Sequence, residues 1–207
     1  MAISPSSASI AVLAKAPVPG LAKTRLIPAI GAHAAAVLQE RLTEKTVATA
    51  LAAGLGPVTL WCTPDVTHAS CRDLADRFSI DLVRQPDGDL GLRMLAAIEA
   101  ASGACLVTGT DCPAFTPAHL RAAADTLNGA DVVLIPAEDG GYVLIGMRAA
   151  QPGLFTDMTW GAPTVLAETR RRIAALGLNA VELPPLWDVD TEPDLARLER
   201  ELPALAL

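Results

Sequence analysis

Five short, continuous apolar runs, at residues 9–14, 58–62, 80–83, 104–107 and 131–135, recur along the chain with longer stretches between them. Runs this short, without polar alternation, read as strands buried on both faces. The intervals carry helical spacing. Residues 31–53 place Leu38, Leu42, Val47 and Leu51 near one helix face and stop at Gly54, and shorter helices fit 69–78, 90–101 and 117–127. Strand and helix in alternation predict an α/β chain: a mostly parallel sheet with helices on both faces, a three-layer α/β/α sandwich.

The pattern changes after Ile135. Asp139-Gly140-Gly141 is a turn signal, and 142–147 follows so closely that an antiparallel strand pair is expected. Pro163 suits the first turn of a helix carrying Val165, Leu166, Thr169 and Ile173 and ended by Gly177. Thr191 with Asp194 predicts a capping box opening the last helix. No repeat, low-complexity tract or long linker breaks the order. One domain over 8–207 is expected, behind a loose start at 1–7.

Composition narrows the function. Hydrophobic residues make up 51% and charged residues 19%, so a real core is available. A net charge of −7 argues against a nucleic-acid polymer as partner, while leaving room for one anionic small molecule at a local cationic cluster. Cys62, Cys71, Cys105 and Cys112 show no zinc spacing and suit a reduced chain. No apolar segment approaches a membrane span, and the N-terminal stretch lacks a basic region. A cytoplasmic protein is the expectation.

Three charged features fall at strand ends, where ligands gather in parallel sheets. LAKAPVPGLAKTRL, after the first strand, holds Lys15, Lys23 and Arg25, with Gly20 and two prolines shaping the loop. Such cations can neutralise a polyphosphate; equally, Lys23 and Arg25 can begin a solvated helix face. TGTDCP closes the fourth strand, and Asp111 there suits either a Mg²⁺ ligand or a turn. LWDVDTEPDL sets Asp188 and Asp190 on one side of an extended segment, where two carboxylates repel unless a cation joins them.

Weaker features accompany these. Gly91 and Arg93, in DGDLGLRM, stand at a helix start that favours an anion. Gly140, Gly141 and Tyr142 form a turn that an acceptor could approach. His33, His68 and His119 read as surface or helix-end residues, and Cys105 and Cys112 as packing. Neither G-x-x-x-x-G-K-[ST] nor G-x-S-x-G is present.

In combination, KAPVPGLAKTRL, GTDCP, EDGGYVLIG and WDVDTEPDL resemble a bacterial family of glycosyltransferase-like or radical-SAM/selenodomain-associated transferases. The resemblance runs from about Ser9 to Leu198. It implies the nucleotide-diphospho-sugar transferase (GT-A-like) fold, and more distantly the chain is similar to phospholactate and molybdenum-cofactor guanylyltransferases. By resemblance, Lys15, Gly20, Lys23 and Arg25 bind nucleotide phosphates, and the local reading adds Gly91 and Arg93 as candidate phosphate contacts. Asp111 holds the metal, Asp188 and Asp190 match a late acidic pair, and Gly140, Gly141 and Tyr142 line the acceptor side. The molybdenum-cofactor enzymes have a glycine-richer first loop than this proline-bearing one, so neither their base specificity nor their acceptor carries over.

The expected function is a Mg²⁺- or Mn²⁺-dependent transferase taking a nucleotide or nucleotide sugar and a small acceptor. Lys23, Arg25 and Asp111 are its candidate catalytic residues, and Asp111, Asp188 and Asp190 its candidate metal ligands. Glycosyl transfer is favoured by the resemblance. Nucleotidyl transfer with release of pyrophosphate fits the cationic loop, and a nucleotide-binding module without turnover is the third reading.

Overall fold

The computed structural model describes residues 7–207, so the expected loose start at 1–7 lies, apart from Ser7, outside the described residues. Seven strands form one sheet: β1 (Ser9–Lys15), β2 (Val58–Thr63), β3 (Asp81–Arg84), β4 (Cys105–Thr108), β5 (Val132–Pro136), β6 (Tyr142–Met147) and β7 (Ala180–Glu182). Their order is β3-β2-β1-β4-β6-β5-β7. β6 runs antiparallel to both β4 and β5, and every other pairing is parallel. The turn at Asp139-Gly140-Gly141 therefore does what its residues predict. β7, only three residues long and largely exposed, has no apolar run to announce it.

Six α-helices cover the sheet: α1 (Ile27–Ala53), α2 (Ala69–Phe78), α3 (Leu90–Glu99), α4 (Pro117–Thr126), α5 (Val165–Ala175) and α6 (Glu192–Glu201). Side-chain alternation along β1 sorts two cores. Ile10, Val12 and Ala14 join one cluster with Val47 of α1, Leu74 of α2 and Leu120 of α4. Ala11 and Leu13 join the other with Met94 and Ile98 of α3 and Leu166 and Ile173 of α5. These are the two helical layers. Among the described residues no helix is long and apolar enough to cross a membrane.

Local chemistry sets the helix ends. α1 begins four residues earlier than its spacing suggests, because a break at Gly31 (φ 79°, ψ 159°) interrupts the helical pattern near its start. Thr191 and Asp194 form the expected capping box of α6. His119 makes a second one with Thr116 at α4, a helix-end role. Pro163 lies one residue before the N-cap of α5 instead of within its first turn. Its carbonyl is packed against Gly140, where a Cβ would stand 2.2 Å away.

A third cluster matters most for function. Leu26, and Leu38 and Leu42 of α1, pack on Trp187, Val189 and Leu198. Trp187 is 5% exposed and Val189 fully buried. In an extended segment alternate side chains leave opposite faces, so anchoring these two turns Asp188 and Asp190 the other way. Val189 N also donates to Asp111 O at 2.9 Å, tying the segment to the loop after β4.

Candidate active site

The loops after β1 and β4, the β5–β6 turn and residues 186–190 meet at one end of the sheet. They enclose a cavity of about 450 Å³. Lys15, Lys23 and Arg25 stand on its wall with Asp111, Asp139, Asp188 and Asp190. Leu90 and Met94 of α3, Tyr142, Trp160 and Val165 supply apolar wall. Charge is thus crowded into part of the cavity, and the remainder suits a planar or apolar group.

Lys23 is the pivot. Its backbone is left-handed (φ 46°, ψ 45°), a conformation that costs a non-glycine residue energy and needs surrounding contacts to hold it. Its side chain is 3% exposed, and Nζ lies 2.6 Å from Asp111 Oδ1 and 3.6 Å from Asp190 Oδ1. Nζ also donates to Val189 O. Arg25 Nη1 donates to Asp190 Oδ2 at 2.9 Å. The Lys23–Asp111 contact is ionic rather than an aligned hydrogen bond: Asp111 Oδ1 is buried with no donor directed at it. Because that side chain is nonetheless 46% exposed, its open surface is on the cavity side.

Of the two arrangements the loop's residues suggest alone, the structure excludes the solvated helix face for Lys23. Lys23 is not on a solvated helix face, and its charge is already engaged by carboxylates. Lys15, at the exposed end of β1, makes no ion pair among the described residues.

Negative charge remains in surplus. Burial, and then the neighbouring Asp139, Asp190 and Asp111, push the Asp188 carboxyl up to about 6. Burial also raises Asp190, an effect that Lys23 and Arg25 oppose. Among the described residues no group of three or more His, Cys, Asp or Glu is placed to hold a metal. Mg²⁺ does not require such a cage, since it commonly takes one or two carboxylates and fills its shell with phosphate oxygens and water. The crowded carboxylates, with Asp111 open to the cavity, fit a divalent ion of that kind.

Eight expected residues line the cavity together: Lys15, Lys23, Arg25, Asp111, Gly141, Tyr142, Asp188 and Asp190. Four stand outside its lining. Gly20 (φ 86°) turns the first loop with open space around it. Gly91 is buried where a Cβ would meet Trp160 and the Phe155 carbonyl within 2.8 Å, so it lets that tryptophan settle on α3. Arg93, next but one along α3, is half-buried with Nε unpaired. Gly140 shapes the β5–β6 turn against Pro163. Tyr142 is half-buried, with its hydroxyl 4.0 Å from Met94 Sδ and its acidity suppressed by desolvation.

Asp139, Gln39 and Trp160 add to the lining beyond the expected residues. Asp139 accepts from Gly141 N at 2.8 Å and adds its charge to Asp188; the turn it belongs to was visible, its orientation was not. Gln39 of α1 is buried and donates to Thr110 Oγ1 at 2.9 Å, bracing the loop that carries Asp111. Trp160 follows no pattern, though a tryptophan outside every periodic segment of a chain with 3% aromatics is itself a signal. Cys105 and Cys112 are packing residues, their thiols pushed up to about 12 by burial.

Known structures carry the same architecture. A protein of Desulfovibrio desulfuricans G20, provisionally named a nucleotide-diphospho-sugar transferase, is 26% identical with a TM-score of 0.84, over 95% of this chain and 89% of that one. A nucleotidyl transferase from Methanothermobacter thermautotrophicus is 18% identical with a TM-score of 0.67, over 93% and 96%. A Mycobacterium tuberculosis H37Rv protein solved in complex with manganese is 17% identical with a TM-score of 0.55, over 95% and 100%. The fold is that of the nucleotide-diphospho-sugar transferases, a class of transferase enzymes, as the sequence motifs imply. No curated protein matches the chain. The model of a family described as "uncharacterized protein conserved in bacteria (DUF2064)" matches residues 46–162, more than half the chain, and the chain belongs to that family.

Proposed function

We propose that this protein is a divalent-metal-dependent transferase that moves a group from a nucleotide-activated donor to a small acceptor. The observation that carries the reading is the opposition, within one cavity, of Lys15, Lys23 and Arg25 to Asp111, Asp139, Asp188 and Asp190. A phosphorylated donor with its metal is a ligand that both sets of charges can serve at once.

Lys15, with no carboxylate partner among the described residues, is the cation available to a phosphate without rearrangement. Lys23 and Arg25 hold Asp190 and, through Lys23, Asp111, and they offset charge that develops on the leaving phosphate. Asp111, Asp188 and Asp190 are the carboxylates among which Mg²⁺ or Mn²⁺ would take one or two ligands, the rest of its shell coming from phosphate oxygens and water. The bound ion would neutralise phosphate oxygens of the donor. Asp139, on the turn that faces Asp188, is the carboxylate left to orient the acceptor or take its proton. Leu90, Met94 and Trp160 offer apolar surface to the rest of the donor.

Glycosyl transfer from a nucleotide sugar is the favoured chemistry, supported by the provisional name of the relative at 26% identity. Nucleotidyl transfer is the second reading, favoured by the three cations of the first loop and by the name of the Methanothermobacter relative. Work inside the cell is proposed on the reduced cysteines. The test is a panel of nucleotide sugars and nucleoside triphosphates, each with Mg²⁺, Mn²⁺ or chelator. Saturation to about a hundred times Kd adds about 2.7 kcal/mol to stability, a visible rise in Tm. A metal-dependent rise with nucleotide sugars, followed by release of nucleoside diphosphate, supports glycosyl transfer. A rise with triphosphates and release of pyrophosphate supports the second reading. No response to either class refutes the proposal.

A further inference from the structure

Cys62 and Cys71 take no part in the site above, yet they are placed like reactive partners. Cys62 lies on β2 directly beside Ala14 of β1 and is fully buried. Cys71 lies in the first turn of α2 and is 3% exposed. Their sulfurs are 2.9 Å apart, with the Cys62 thiol donating to Cys71. Packed carbon atoms stand about 3.5–4.0 Å apart, and a disulfide needs about 2.05 Å, so this pair has already covered about half of the approach.

Their surroundings set the two thiols apart. The hydrogen bond from Cys62 lowers the Cys71 thiol below its ordinary range, and the same bond with burial raises Cys62. The start of a helix also favours a thiolate at Cys71. Cys71 forms part of the wall of a second cavity, of about 230 Å³, together with Lys15, Arg77, Glu40, Glu44 and Asp73. A small oxidant entering there meets Cys71 before Cys62. Among the described residues Cys62 and Cys71 are the cysteines in sulfur–sulfur contact; Cys112 borders the larger cavity, but no thiol stands beside it or beside Cys105.

We propose that Cys62 and Cys71 are a reversible dithiol–disulfide site, oxidised by a small hydroperoxide such as hydrogen peroxide. The Cys71 thiolate attacks a peroxide oxygen, the O–O bond breaks, and hydroxide leaves with the Cys71 sulfenic acid formed. The Cys62 sulfur then attacks the Cys71 sulfur. The S–S bond forms as the S–O bond breaks, and the Cys62 proton leaves with the departing oxygen as water. Two thiols and one peroxide give one disulfide and two waters, and an external dithiol reverses the change. The site is independent of the transferase reading, because it rests on the sulfur pair alone.

The experiment treats the reduced full-length protein with about one equivalent of hydrogen peroxide, alkylates it under denaturing conditions, and reads intact mass and a peptide map. The expected result is a fall from four alkylatable cysteines to two. Before alkylation the intact mass drops by about 2 Da. The map links Cys62 to Cys71, and dithiothreitol restores all four thiols. Cys62→Ser and Cys71→Ser each abolish the link, and Cys62→Ser leaves Cys71 as a trappable sulfenic acid. Four thiols surviving in the wild type, a bridge to Cys105 or Cys112, or Cys71 overoxidised without a bridge would each overturn the proposal. The wild-type map decides the matter even if a variant fails to fold.

Discussion

Replacing Lys23 by methionine keeps most of the side chain's length and removes its charge. It leaves Asp111 and Asp190 facing each other's field without the ammonium that lies 2.6 and 3.6 Å from them. Breaking a fully buried ion pair costs about 3–5 kcal/mol, and an exposed pair is worth no more than about 1. Here the cation is 3% exposed, but its partners are 46% and 34% exposed, so water screens the orphaned carboxylates in part. The expected loss lies between those limits, about 2 kcal/mol. For a chain of this size that lowers Tm by about 4–8 °C.

The sign with pH follows. Burial already raises Asp190 above its unfolded value, and Lys23 opposes the shift. Without Lys23 the folded pKa rises further, so the extra cost is present when the carboxylates are ionised and fades as falling pH protonates them. Chemical denaturation at pH 8 and at pH 4.5, variant against wild type, measures both. A variant as stable as wild type at pH 8, or one whose deficit is the same at both pH values, refutes the view that Lys23 neutralises this cluster.

Asp188, with its carboxyl pushed up to about 6, binds protons more tightly in the folded than in the unfolded chain. Its contribution to stability is present below the unfolded pKa of about 3.9 and is lost as pH rises through about 6. Asp188→Asn should flatten the dependence of Tm on pH over that window, and an unchanged profile rejects the assignment. Asp111→Asn should lower transferase turnover by orders of magnitude while leaving the circular dichroism spectrum intact; near-wild-type turnover removes Asp111 from the metal site. Gly140→Ala places a Cβ against the Pro163 carbonyl at a φ of 94°. It should cost about 1–3 kcal/mol in urea unfolding, and wild-type stability would show that the 160–163 segment does not depend on this contact.

β1, β2, β4 and β5 were legible because each is a largely buried apolar run, as Ile10–Ala14 and Val132–Ile135 show, and β3 was legible from a short apolar run although it is half-exposed at the sheet edge. The antiparallel β6 was legible from a turn too short for a crossover. β7 was not, since an exposed edge strand of three residues needs no apolar signature. At the site, Lys15, Lys23, Arg25, Asp111, Asp188 and Asp190 were readable as charges at strand ends. Their pairing was not. The insertion of Lys23 between Asp111 and Asp190 depends on a left-handed backbone and on contacts across more than a hundred residues. The packing at Gly91 was hidden for a related reason: a helix-start glycine looks the same in sequence whatever stands against it, here Trp160.

The alternation of Trp187 and Val189 with Asp188 and Asp190 has an evolutionary consequence. One short stretch encodes the packing of α1 on one side and the acidity of the cavity on the other, with the two messages interleaved residue by residue. Deleting or inserting a single residue between Leu186 and Asp190 would exchange them, turning an indole or a valine toward the ligand and a carboxylate into the apolar layer. A substitution here alters one of the two messages, but a frame change of one position alters both. In descendants of this chain, length variation should gather in the outer connections and leave residues 186–190 at constant length.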